Sequence, residues 1–201
     1  MNDLAVTPLD GRTWKDLAGL FSQGGDPKRC WCMYWRLPSG RWSLTSTEAN
    51  RNALHDLAEG TGPAPGLVAF RGDEAIGWVS LGPREDFPRI TRSRTIPHVP
   101  GEGLWSVVCF VVSRRARRSG VATALLDAAV EHAQANGAQA VEAYPVDTRG
   151  SRITSASAYT GTLGMFERAG FAVVSPTRSS AGRGNARVVV RRTLDWAGEG
   201  R

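Results

Sequence analysis

The stretch Val112-Ser113-Arg114-Arg115-Ala116-Arg117-Arg118-Ser119-Gly120-Val121-Ala122, continued by Thr123-Ala124-Leu125-Leu126, decides how this chain is read. Before it, residues 104–112 form an unbroken apolar run of strand length, expected to be buried on both faces. After it, Val121, Leu125, Ala128, Ala129 and His132 share one side of a helix over 120–136, which Gly137 stops. A strand that feeds straight into a helix leaves several unpaired N–H groups at the helix start, aimed at one spot. The helix dipole adds roughly half a positive charge there, and Arg117 and Arg118 add two full ones. Such a turn suits a phosphate or pyrophosphate. Gly120 and Ala122 let the anion's oxygens reach the amides without meeting a branched side chain.

The pattern Arg-x-x-Gly-x-Ala after a strand ending in valine resembles the pyrophosphate loop of the GNAT superfamily of N-acetyltransferases, with Arg117, Gly120 and Ala122 in its three fixed places. A second segment, Met165-Phe166-Glu167-Arg168-Ala169-Gly170-Phe171, resembles the end of that family's fourth helix, where an aromatic residue stands four positions before a Gly-Phe pair. With their flanks the two segments cover about residues 104–174, in the family's order. The resemblance implies an α/β fold: a mixed, mostly antiparallel sheet with helices on both faces and two central parallel strands that splay apart. It also implies acetyl-coenzyme A as the acetyl donor. Its pyrophosphate would rest on Arg117, Arg118, Ser119, Gly120, Val121, Ala122 and Thr123. Its pantetheine arm would enter the splay against the main chain of Phe110, Val111 and Val112. On this reading residues 1–201 form one acetyltransferase domain, with a variable acceptor-side part over 1–65 and a donor-binding core over 104–174.

The bulk properties agree with a soluble enzyme. A chain of 201 residues can bury a proper core, and a hydrophobic content of 41% is ordinary for a globule. No apolar run approaches the ~20 residues of a membrane span. Met1-Asn2-Asp3-Leu4 has neither a basic cluster nor an apolar stretch, so no signal peptide is expected and the cytoplasm is the expected location. Three cysteines argue against a disulfide framework. Cys109 sits inside the apolar strand, and Cys30 and Cys32 lack the second pair that a zinc site needs, so no metal is expected. The net charge of +6 is concentrated in residues 101–201, which hold 13 basic and 8 acidic side chains. The arginines are otherwise dispersed and no recognition-helix motif is present, so neither nucleic acid nor membrane is an expected partner. A homodimer is left open.

Outward from the central pair, residues 5–9 read as a first strand, 12–21 as a helix, and 66–70 and 76–81 as a hairpin joined by Arg71-Gly72-Asp73-Glu74-Ala75. Thr45-Ser46-Thr47-Glu48 supplies two overlapping cap choices for a helix ending near Gly60, with Thr45 and Glu48 spaced as a capping box. Residues 82–103 carry four prolines and no clean period, which predicts a long surface loop and a candidate lid. Residues 140–144 read as a strand, 159–169 as a helix, 171–174 and 187–194 as strands, with a Gly/Ser/Arg turn over 179–185. The segment Cys30-Trp31-Cys32-Met33-Tyr34-Trp35, with Trp42, either lines the acceptor side or packs as core.

Acetyl transfer to an amine needs a route for the amine proton and a proton for the leaving thiolate. Many members of the resembled family place a tyrosine four residues before the Gly-Phe pair. Here that residue is Phe166, which has no proton to give and is expected to pack beside the donor's thiol. Tyr159, where many members carry an asparagine that touches the donor, is a candidate donor contact and acid. Tyr144 is a second candidate acid. Glu142, alternating with Val141 and Ala143 on its strand, is the candidate base, set against the plainer reading of an arginine-paired carboxylate. The implied reaction is direct acetylation of a primary amine on a small molecule. A protein- or peptide-directed enzyme and a non-catalytic acyl-coenzyme A-binding module are the alternatives.

Overall fold

Alternating apolar residues condense into one sheet in the computed structural model, which describes residues 4–154, 156–181 and 184–194. Its elements are β1 (Leu4–Pro8), α1 (Trp14–Ser22), α2 (Pro27–Cys30), α3 (Thr47–Glu59), β2 (Gly66–Arg71), β3 (Glu74–Pro83), α4 (Pro88–Thr91), β4 (Leu104–Val112), α5 (Val121–Ala135), β5 (Ala140–Ala143), α6 (Leu163–Arg168), β6 (Ala172–Ala181) and β7 (Asn185–Thr193). The strands lie in the order β1-β2-β3-β4-β5-β7-β6. Every neighbouring pair is antiparallel except β4 with β5, as the resemblance implies.

Period-two alternation sends Leu67 and Ala69 of β2 to one face and Val68 to the other. The first face packs under Val121, Leu125 and Ala129 of α5 and Met165 and Phe166 of α6. The second packs under Leu17 and Phe21 of α1, Leu54 of α3 and the aromatic segment around Trp31 and Trp35. Trp31 and Cys32 both adopt left-handed φ, at 45° and 54°. That turn lets Trp31 stack 5.6 Å from Trp14 while Cys32 Sγ sits 3.6 Å from Cys109 Sγ of β4. The cost of two such residues, about 1–3 kcal/mol each, is offset by burying both side chains.

The central strand carries the feature that builds the site. Ser80 pairs with Cys109 and Leu81 with Val107, so Val108 is an extra residue, a β-bulge. Its effect shows in the packing: Val108 and Cys109 are consecutive yet both join the α1 side, whereas Val107 and Phe110 join the α5 side. β5 accompanies β4 only from Leu104 to Val107. Beyond Val107, β4 runs on to Val112 paired with β3 alone, which is the expected splay.

Four local expectations are corrected. The cap of α3 is Ser46, whose Oγ accepts from Ala49 N–H at 3.0 Å, while the Thr45 hydroxyl donates to Asn50 Oδ1. The helix expected over 159–169 is only α6, because Gly161 takes φ +82° and Thr162 is extended. Tyr159 therefore lies outside any helix. Residues 82–103 are anchored rather than loose: β3 reaches Pro83, and Phe87, Ile90 and Ile96 are buried. The last hairpin is longer than expected, with residues 179–181 in β6; residues 182–183 of the expected turn lie outside the described residues. No helix among the described residues is long and apolar enough to cross a membrane.

Candidate active site

The turn between β4 and α5 has the properties of an anion cradle. Arg114–Ala116 make one 3-10 turn, Arg118 and Gly120 adopt φ of +62° and +83°, and no side chain caps α5. The first intrahelical bond runs from Ala124 N–H to Gly120 O at 3.0 Å. The amides of Val121, Ala122 and Thr123 precede it and have no helical acceptor. A Cβ on Gly120 would project into open space, with no atom within 4 Å. Arg114, Arg115, Arg117 and Arg118 are exposed and form no ion pair among the described residues. Ser119 Oγ donates back to Ala116 O at 2.8 Å and fixes the turn. Donors, charge and space thus fit a pyrophosphate.

The turn leads into the gap between β4 and β5. Ser113 N–H bonds Ile76 O on β3, so antiparallel alternation aims the N–H groups of Val112 and Phe110 away from β3, into the gap. There Phe110 N–H donates to Tyr159 O at 2.6 Å, and Val146 N–H donates to Gly161 O at 3.0 Å. Residues 159–161 therefore lie as a short rung across the splay. Phe166, fully buried, floors the gap on the α5 side, 6.2 Å from Phe110 and 5.1 Å from Phe171 between ring centroids.

The model of the acetyltransferase (GNAT) family matches residues 28–171, most of the chain. The chain belongs to the GNAT acetyltransferase family. It is an acetyl-coenzyme A-dependent acyltransferase. A GCN5-related N-acetyltransferase from Kribbella flavida shares its fold at 19% identity, with a TM-score of 0.58 and 96% and 98% of the two chains covered. The NatC complex bound to Gag peptide and CoA is similar at 14% identity, TM-score 0.56, covering 96% and 99%. NAA60 from Arabidopsis thaliana, in complex with acetyl-CoA, is similar at 14% identity, TM-score 0.51, covering 95% and 99%. No curated protein sequence matches the chain.

In this GNAT chain the sheet face under α1 carries a polar row beside the gap. Glu142 is 1% exposed and held at both oxygens, Oε2 by Arg84 Nη1 at 3.2 Å and Oε1 by Arg191 Nη2 at 3.0 Å. The same arginines donate to Val99 O and Pro100 O, so Glu142 fastens residues 82–103 to β5 and β7. Its geometry is that of a counter-ion. Tyr144 is 1% exposed, with its hydroxyl 3.2 Å from Ser106 Oγ and its ring stacked on Trp35. Tyr159 is half-buried beneath the Arg187 guanidinium, 5.1 Å from the ring centroid. Burial pushes both phenols up from their ordinary pKa.

Arg187, over the Tyr159 ring, is the residue of this region that the sequence reading did not single out. Tyr34, half-buried in the aromatic segment, lies within electrostatic range of Tyr159 and Arg187. The signal for Arg187 was available: it is a lone cation entering the apolar run Val188-Val189-Val190, on the face of Val189. Trp31 and Trp35 are buried core, and Tyr34 packs edge-on against Trp35 and Trp42 beneath the Arg89 guanidinium. Among the described residues no group of three or more His, Cys, Asp or Glu is placed to hold a metal.

Proposed function

We propose that this GNAT enzyme transfers acetyl directly from acetyl-coenzyme A to the primary amine of a small molecule, in the cytoplasm, as one domain. The observation that carries the donor half is the uncapped start of α5, with three free amides over an open Gly120. Acetyl-coenzyme A supplies the acetyl group as an activated thioester. Arg117, Arg118, Ser119, Gly120, Val121, Ala122 and Thr123 hold its pyrophosphate, and the main chain of Phe110, Val111 and Val112 takes its arm. Phe166 walls the thiol end.

The acceptor half rests on enclosure. Buried Trp31 and Trp35 and the anchored 82–103 segment roof the α1 side, which favours a small molecule over a peptide laid in an open groove. In the reaction a C–N bond forms, the thioester C–S bond breaks, and one proton passes overall from nitrogen to sulfur. Tyr159 is the proposed proton donor, because its main chain already abuts Phe110 and its side chain is half-open. Tyr144, sealed against Ser106, is second. With Glu142 clamped by two arginines, water carries the amine proton.

A panel of small primary amines beside a panel of peptides, with coenzyme A release followed, tests the reading. Turnover confined to small amines supports it. Turnover confined to peptides replaces it with a protein-directed enzyme, and none with donor bound replaces it with a binding module.

A further inference from the structure

Arg187 is 4% exposed, yet it forms no ion pair among the described residues. Its Nη1 donates to Tyr144 O at 3.2 Å and to the Thr160 hydroxyl, and its flat face covers the Tyr159 ring. Nε and Nη2 have no hydrogen-bond partner among the described residues. The neighbouring charges do not compensate it. Glu142, the one buried carboxylate among the described residues, is already shared by Arg84 and Arg191. Burial pulls the Arg187 pKa down from its ordinary value. A buried cation without a counter-charge is costly.

Its place is as informative as its charge. Tyr144 follows the last residue of β5, and Tyr159 O bridges to Phe110, so the guanidinium stands at the mouth of the splay on the α1 side. We infer that Arg187 receives a carboxylate on the acceptor, so that the substrate is an amino acid or another amine bearing a carboxylate. This rests on the small-amine reading above. The unoccupied Nε–Nη2 edge offers two parallel donors, the arrangement that takes both oxygens of a planar carboxylate. The half-buried Tyr159 ring lies under the guanidinium, and Tyr34 is within electrostatic range of it.

The experiment compares glycine, methionine, phenylalanine and 4-aminobutyrate with glycinamide, methioninamide, phenylalaninamide and butylamine. In the wild type the preferred acid is expected to exceed its neutral partner in kcat/KM by about 10²-fold or more, as sites with a buried donor pair discriminate strongly. Arg187→Gln retains a donor toward Tyr144 O; it should erase that preference by lowering kcat/KM for the acids far more than for the neutral amines, and Arg187→Lys should restore it only in part. Neutral amines preferred by the wild type, or acid and amide falling together in Arg187→Gln, would overturn the inference.

Calorimetry on the coenzyme A-loaded enzyme with the N-acetyl derivatives of the same amino acids, against their amides, reads Arg187 without turnover. Acid-selective binding that Arg187→Gln abolishes sustains the inference even if no amine is acetylated, a failure that would strike the acetyltransferase reading alone. Equal binding of acids and amides, or binding of neither, overturns it. The free Arg187→Gln protein should melt within a few degrees of the wild type or above it, since it loses an uncompensated charge. A large drop would make Arg187 structural and overturn the inference too.

Discussion

Tyr159 O accepts the amide proton of Phe110 at 2.6 Å, across the gap where β4 leaves β5. The residue expected to anchor the donor's arm is thus already engaged by the chain itself. Binding must exchange one acceptor for another at that amide. Amide exchange followed by NMR should show Phe110 protected in the free protein and still protected with coenzyme A bound, with its amide resonance shifted. Residues 159–161 should exchange faster once their partner is taken. A Phe110 resonance unmoved at saturating coenzyme A would place the arm elsewhere.

Glu142→Gln should act on stability first. It keeps the shape but leaves Arg84 and Arg191, both largely buried, without a counter-charge. Breaking a buried pair in this way costs about 3–5 kcal/mol, which is a fall on the order of 10 °C in Tm for a chain of this size. Thermal melting checks it. An unchanged Tm with kcat/KM lower by about 10²–10⁴-fold would instead make Glu142 the base.

The tyrosines give a signature at high pH. Burial raises both Tyr144 and Tyr159 above their ordinary 10.0. Below pH 10 the folded and unfolded chains hold the same phenolic protons. Above it the unfolded chain releases protons that the folded one keeps, so stability falls as pH rises. Tyr144→Phe and Tyr159→Phe should each flatten that decline, measured as urea midpoints between pH 9 and 11. Midpoints that decline as steeply as in the wild type would mean the phenols titrate normally.

Turnover separates the same two hydroxyls. Tyr159→Phe should lower kcat by about 10²-fold or more, the range for general acids, with little change in acetyl-coenzyme A affinity. Tyr144→Phe should keep near wild-type kcat. Full activity in both variants would show that neither hydroxyl alone is required.

The strand, glycine turn and helix proposed to hold the donor were legible because they are contiguous in the sequence. The Gly170-Phe171 pair likewise marks the end of α6, with Gly170 at φ +81°. The acceptor half was not, because its partners come from distant strands. The clamp on Glu142 joins residues 58 and 49 positions away in sequence, and no local pattern announces it. The short α6 was misread for a different reason. Residues 159–169 have helical spacing, but Gly161 packs where a Cβ would strike the Phe166 ring and Met165, so the backbone turns there instead. The bulge at Val108 left no trace, since both faces of β4 are apolar.

The central claim is that the turn from Arg117 to Thr123 holds the donor's pyrophosphate, and calorimetry of acetyl-coenzyme A against Gly120→Glu tests it most directly. The new carboxylate would stand in the anion's place, in space that is open in the structure. Its left-handed φ of +83° adds a strain of about 1–2 kcal/mol, so a Tm lower by a few degrees is expected in a folded protein. The account requires micromolar or tighter binding in the wild type to become undetectable in the variant. A folded Gly120→Glu protein that binds acetyl-coenzyme A with wild-type affinity would contradict it.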